Sequence, residues 1–133
     1  MRALAGYIAA LVAFVAADMV WLGIMVDRVY RPALAGVLAA SVNLGAAMVF
    51  YLLFPIGLSI FAIAPALKAE SAWVAAGYGG LFGFFSYATY DLTNHSTIRD
   101  WALQVTIVDI AWGFVLSAFA AVAGYYVASR LPG

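Results

Sequence analysis

The chain has no cysteine, a single histidine and very little charge: only 9% of its 133 residues are Asp, Glu, Lys or Arg. Each shortage removes a class of protein. Without cysteine there is no disulfide, no thiolate metal site and no sulfur nucleophile. With one histidine, His95, and no cysteine, a zinc site is not expected, and no metal ligand set is assigned. Six basic residues balance six acidic ones and form no basic stripe, so nucleic acid is not expected as a partner. Nucleophile elbow, phosphate-binding Walker loop and HExxH are all missing. No residue takes a catalytic role on this reading, and no cofactor is implied.

What the chain has instead is hydrocarbon. It is 68% hydrophobic, against about half for an ordinary soluble domain. A helix needs about 20 apolar residues to cross a bilayer. The sequence supplies four such stretches, over residues 3–26, 33–67, 71–94 and 98–129, within one domain spanning 1–133. The first break is Asp27-Arg28-Val29-Tyr30-Arg31-Pro32. The second is Lys68-Ala69-Glu70, and the third Asn94-His95-Ser96-Thr97. Thr97, with Asp100 three residues on, has the spacing of a capping box opening the last helix. Pro55 inside the second stretch predicts a kink from Tyr51 to Pro55, since proline removes a helix hydrogen bond and crowds the preceding turn. The opening stretch continues apolar to Val26, longer than a signal peptide's core, and is expected to be a first span. The runs are too long and too unalternating for barrel strands. The predicted fold is therefore an all-α membrane protein, an antiparallel four-helix transmembrane bundle with the lipid bilayer as its immediate partner.

Orientation is not fixed by charge. Arg2, Lys68 and Arg130 fall on one side and Arg28, Arg31 and Arg99 on the other, so the positive-inside rule is balanced. Small residues at helical spacing, Gly79 with Gly83 and Gly6 with Ala10, Ala13 and Ala17, predict close helix packing.

Three of the six acidic residues interrupt apolar segments: Asp18, Asp91 and Asp109. A carboxylate in lipid costs roughly 2.5–3.5 kcal/mol on insertion scales, so it faces a partner or a wet cavity. Two of them open near-copies of one pattern, Asp18-Met19-Val20-Trp21-Leu22-Gly23 and Asp109-Ile110-Ala111-Trp112-Gly113. At a rise of ~1.5 Å per residue, Asp18 lies ~12 Å from the first break, Asp109 ~16 Å from the third, and Asn43 ~15 Å into the second span. Those breaks share one side of an antiparallel bundle, so polar groups converge on one half of it. The candidate ligand- or proton-binding set is Asp18, Asp91 and Asp109 with Asn43, Asn94, His95, Trp21, Trp112 and Tyr90. In this reading Asp18 and Asp109 exchange the ligand, Asp91 and His95 form the entrance, and Asn43 and Asn94 orient. A purely structural account competes with it: a hydrogen bond between membrane helices contributes only ~0.6 kcal/mol on average, enough for modest glue.

The segments Asp18-x-x-Trp21-Leu22-Gly23, Tyr90-Asp91-Leu92-Thr93-Asn94 with Thr97 beyond, and Asp109-x-x-Trp112-Gly113 together resemble DUF2177, a family of small bacterial membrane proteins predicted to have four spans. The resemblance covers essentially the whole chain. It implies a multi-pass protein of the bacterial inner membrane and carries over no catalytic residues. The expected function is binding of a proton, a cation or a small polar ligand at an intramembrane carboxylate cluster, in the service of transport, where a homodimer would enclose a path. The alternatives are an enzyme acting on a lipid or other hydrophobic substrate, and a non-catalytic partner for another membrane protein.

Overall fold

A computed structural model describes all 133 residues. Four long helices account for most of the chain: α1 over Arg2–Ala33, α2 over Leu44–Ala69, α3 over Ala72–Thr97 and α4 over Leu103–Ser129. They form an antiparallel bundle in which α4 packs along both α1 and α3, and α1 lies beside α2. Helix α3 packs mainly against the second half of α2, and the first half meets it through Phe54 and Gly57. The core runs through the middle of the bundle and holds Phe14 from α1, Phe54 and Leu58 from α2, Ala75 from α3, and Leu116 and Ala120 from α4.

Three helices, not four, are long and apolar enough to cross a membrane: α1, α2 and α4. The exception is α3. It has 26 residues, which is sufficient length, but Ser86, Thr89, Asp91, Thr93, Asn94 and His95 dilute the hydrocarbon of its second half. Its glycines meet α4 directly. A methyl carbon added at Gly79 would lie 2.6 Å from the Ala121 Cβ, and one at Gly83 would collide with the Gly113 carbonyl and the Ser117 hydroxyl. The small residues of α1 serve in the same way, Gly6 lying against Gly124 and Ala128. These stripes are seams within the chain.

Helix boundaries depart from expectation in two places. The charged sequence after Val26 does not end α1. The helix continues to Ala33 through one wide π-type turn, Val26–Tyr30, closed by the Arg31 amide donating to the Val26 carbonyl. The apolar residues 34–43, expected to be helical, form a turn-rich loop instead, and α2 starts at Leu44. The Asn43 side chain accepts from the Ala46 amide at 3.1 Å to cap α2. At the other connection α3 extends to Thr97, whose hydroxyl bonds back to Thr93, and α4 begins at Leu103 without a side-chain cap. The capping box is therefore not formed. Helix α2 runs on as α-helix past Pro55 to Leu58 and then opens into a second wide turn, Ser59–Ile63, closed by the Ala64 amide on the Ser59 carbonyl.

Both wide turns end one residue before the residue preceding a proline, Pro32 or Pro65. A proline ring clashes with the carbonyl four residues back, and opening the preceding turn relieves that clash. The extra residue also rotates everything beyond it, which matters for Tyr30 below. The short α2–α3 connection turns on Glu70, the one non-glycine residue with positive φ (51°), and Ser71 caps α3.

Candidate functional site

Asp18 and Asp109 lie on helices that run antiparallel and in contact, so their Asp-x-x-Trp segments meet head to tail. The indoles of Trp21 and Trp112 stack, with centroids 4.3 Å apart and planes 5° from parallel. Each tryptophan then serves the acid of the other segment. The Trp112 indole N–H donates to Asp18 Oδ1 at 3.0 Å. The Trp21 indole donates to the Tyr30 hydroxyl at 3.0 Å, and that hydroxyl donates to Asp109 Oδ1. On α2, the Tyr51 hydroxyl donates to Asp18 Oδ2 at 2.5 Å. Asp18 is thus buried, 6% exposed, with a donor on each oxygen.

Asp91 is different. It is completely buried, and neither of its oxygens has a hydrogen-bond donor in reach. Its neighbour is the Asp109 carboxyl, another acceptor. The α3–α4 seam fixes this contact: Gly83, two turns before Asp91, lies on Gly113, one turn after Asp109, and the Tyr87 ring covers Gly113 so closely that no side chain fits there. The chain therefore gathers three carboxyls from α1, α3 and α4. Their polar surroundings are neutral donors: two tyrosines and an indole. The only ion pair is Arg31 with Asp27, 3.1 Å apart on the outer surface of α1.

A cavity of about 620 Å³ opens beside this cluster. Asp18 and Asp109 form part of its wall, with Trp21, Tyr30, Tyr90 and Trp112, and the apolar loop 34–42 lies across it. Arg31 also borders the cavity. A second cavity of about 410 Å³ lies between α2 and α3, bounded by Phe50, Phe54, Ser86, Tyr87, Tyr90 and Asp109. Asp109 and two tyrosines belong to both.

The remaining sequence candidates divide. Tyr90 borders both cavities, half exposed, with its ring edge-on to Trp101, but it does not bond to an acid. Asn94 sits beside Tyr90, one turn further along α3. His95 is exposed and places Nδ1 at 3.0 Å from the Thr106 hydroxyl, which also accepts from Trp101 at 3.0 Å. Together they make a separate polar node where α3 meets α4. Asn43 is exposed and caps α2, its side chain accepting from the Ala46 amide, because α2 starts at Leu44 and not at residue 33. Asp91, expected at the entrance, lies sealed behind Asp109. No three acidic or imidazole side chains converge on a point that could hold a metal ion.

Two residues that matter here, Tyr30 and Tyr51, lay outside the sequence-derived set. Tyr51 sits on the apolar face of α2 with nothing polar nearby in sequence. Tyr30 lies nine residues after Trp21, which on a regular helix is ~180° away. The wide turn absorbs one residue, so Tyr30 takes up the position of an eighth neighbour, ~80° from Trp21 and ~20° from the direction of Asp18. Pro32 is the sequence signal for that turn.

No curated protein and no solved structure matches the chain. A family model does: DUF2177, described as a predicted membrane protein, matches residues 3–126, and the chain belongs to that family.

Proposed function

We propose that this protein binds a small cationic or hydrogen-bond-donating ligand, the proton included, at a carboxyl-lined cavity inside a membrane bundle. One observation carries the reading. Three carboxyls from three helices share a low-dielectric interior with neutral donors only, while the one nearby arginine is already paired with Asp27. A buried acidic cluster without a counter-ion attracts positive charge. Asp91 and Asp109 add a place for a proton. Two neighbouring carboxyl acceptors satisfy each other only when one of them carries a hydrogen.

The set of proposed binding residues is Asp18, Asp91 and Asp109, held by Tyr30, Tyr51, Trp21 and Trp112, with Tyr90 on the cavity wall. A bundle of this size encloses no continuous path of its own, so movement of the ligand across a bacterial inner membrane would be the task of a homodimer. The test is reconstitution in liposomes with a pH-sensitive dye inside and methylammonium or a proton gradient applied outside. Protein-dependent flux is expected in the wild type and is expected to fall at least tenfold in Asp18→Asn and Asp109→Asn. Equal flux in all three proteins would defeat the reading.

A further inference from the structure

We propose that the cavity between α2 and α3 is a side entrance through which an amphiphile with a primary amine head, resident in the bilayer, brings that head to Asp109 while its chain rests between Phe50, Phe54 and Ser86. This rests on the functional reading above and names the ligand class for it.

The entrance follows from how α2 packs. Its second half, from the wide turn at Ser59–Ile63 onward, packs closely against α3, whereas its first half lies along α1 and reaches α3 only through side chains near its end, Phe54 among them. Phe54 spans the gap, with its ring 5.1 Å from Phe82 and 6.1 Å from Tyr87. Beyond Phe54 the gap stays open as the 410 Å³ cavity. The outer surface here is hydrocarbon: Leu53 on α2 and Phe85 on α3 are both about three-fifths exposed. An opening bordered in this way admits molecules from lipid more readily than from water.

The two ends of the cavity differ in chemistry. Phenylalanine rings form one wall. The other end is the Asp109 carboxyl, shared with the larger cavity and backed by Asp91, whose two oxygens are fully buried and unpartnered. An apolar slot ending on a carboxyl pair suits a chain with a donor head. The sign of the head is set by the lining, which holds a carboxyl and no basic residue. A fatty acid would bring a further negative charge to three carboxyls, whereas an ammonium donates up to three hydrogen bonds and can give one to Asp109, the carboxyl that lines the cavity.

The experiment uses the full chain in nanodiscs with two photoreactive probes that share one diazirine-bearing alkyl chain, one ending in a primary amine and the other in a carboxylate. Mass spectrometry maps the sites of attachment. The amine probe is expected to label residues 50–54 and 86–90 at least fivefold more than the carboxylate probe does. Asp109→Asn is expected to bring the two probes to the same level. Equal labelling by both heads in the wild type, or labelling spread over the outer helix faces, would overturn the proposal. Ethylamine, too short to need the entrance, separates the two claims. If ethylamine binding quenches tryptophan fluorescence in an Asp109-dependent way while the long-chain amine leaves the cleft unlabelled, the acidic cavity stands and the side entrance falls. If neither amine engages Asp109, both fall.

Discussion

Trp112 gives its indole N–H to Asp18 on the opposite helix, not to Asp109 one turn before it on its own. The exchange is mutual, since Trp21 reaches Asp109 by way of the Tyr30 hydroxyl. Two copies of Asp-x-x-Trp on antiparallel helices thus act as one unit, joined by the stacked indoles. Disrupting one partner should change what the other contributes. Trp112→Phe keeps an aromatic ring in the stack and removes only the donor, and Asp18→Leu removes the acceptor. We expect each to destabilise the fold by about 0.5–2 kcal/mol, within the range for interhelical hydrogen bonds in membranes. The double variant should cost at least about 0.5 kcal/mol less than the sum. Unfolding in mixed micelles measures all four proteins, and strict additivity would show that the bond is not formed.

The architecture and the acids were legible in the sequence for a plain reason. Spans announce themselves by length, and an aspartate in hydrocarbon has few explanations. The convergence of Asp18, Asp91 and Asp109 on one half of the bundle followed from span order and rise per residue. What composition hides is how an apolar stretch is shaped. Residues 34–43 are as hydrophobic as a span yet form a turn-rich loop, and α2 starts only where Asn43 offers its side chain as a cap. Asn43 is therefore the cap of α2 and not a residue ten positions inside it. Tyr30 was missed because regular helix geometry points it away from the acids, and Tyr51 because nothing near it in sequence marks it as a donor.

Tyr30 gives a test of the wide turn. Pro32→Ala restores an amide at that position and removes the ring that crowds the Arg28 carbonyl. A regular α-helical turn through Val26–Tyr30 would swing Tyr30 by ~100° and take its hydroxyl off Asp109. The Trp21 indole N–H would then lose its acceptor. We expect the Trp21 Nε1 proton resonance to move in Pro32→Ala as it does in Tyr30→Phe, with a loss of about 1 kcal/mol in stability in either variant. A Trp21 resonance unchanged by Pro32→Ala, but moved by Tyr30→Phe, would show that the turn does not depend on the proline.

The α3–α4 seam sets how closely Asp91 approaches Asp109, so its glycines should be unequal to others in the chain. Gly83→Ala drives a methyl into the Gly113 carbonyl and the Ser117 hydroxyl, and Gly113→Ala drives one into the Tyr87 ring. We expect about 1–3 kcal/mol of destabilisation from each, the usual cost of overpacking. Gly23→Ala and Gly77→Ala meet nothing within 4 Å and serve as controls. They should be neutral, or stabilising by up to about 1 kcal/mol through helix propensity. Comparable effects at all four positions in detergent unfolding would refute the seam.

Asp91 offers the sharpest chemical test, because its two oxygens lack donors and its neighbour is another carboxyl. On the proposed function one hydrogen is held between the two groups. Asp91→Asn replaces that hydrogen with an amide N–H, which donates to Asp109 with no proton needed. Asp91→Leu instead leaves Asp109 with one donor fewer in a buried place. The amide variant should therefore be at least as stable as the wild type, and the leucine variant less stable by about 1–3 kcal/mol, the cost of a buried polar group left without its partner. Infrared difference spectra provide an independent reading: the carbonyl stretch of a protonated carboxylic acid should be present in the wild type and absent from Asp91→Asn. If the amide variant destabilises as much as the leucine variant, or the acid band persists in it, the two carboxyls do not share a hydrogen, and the proton-binding part of the proposed function loses its structural basis.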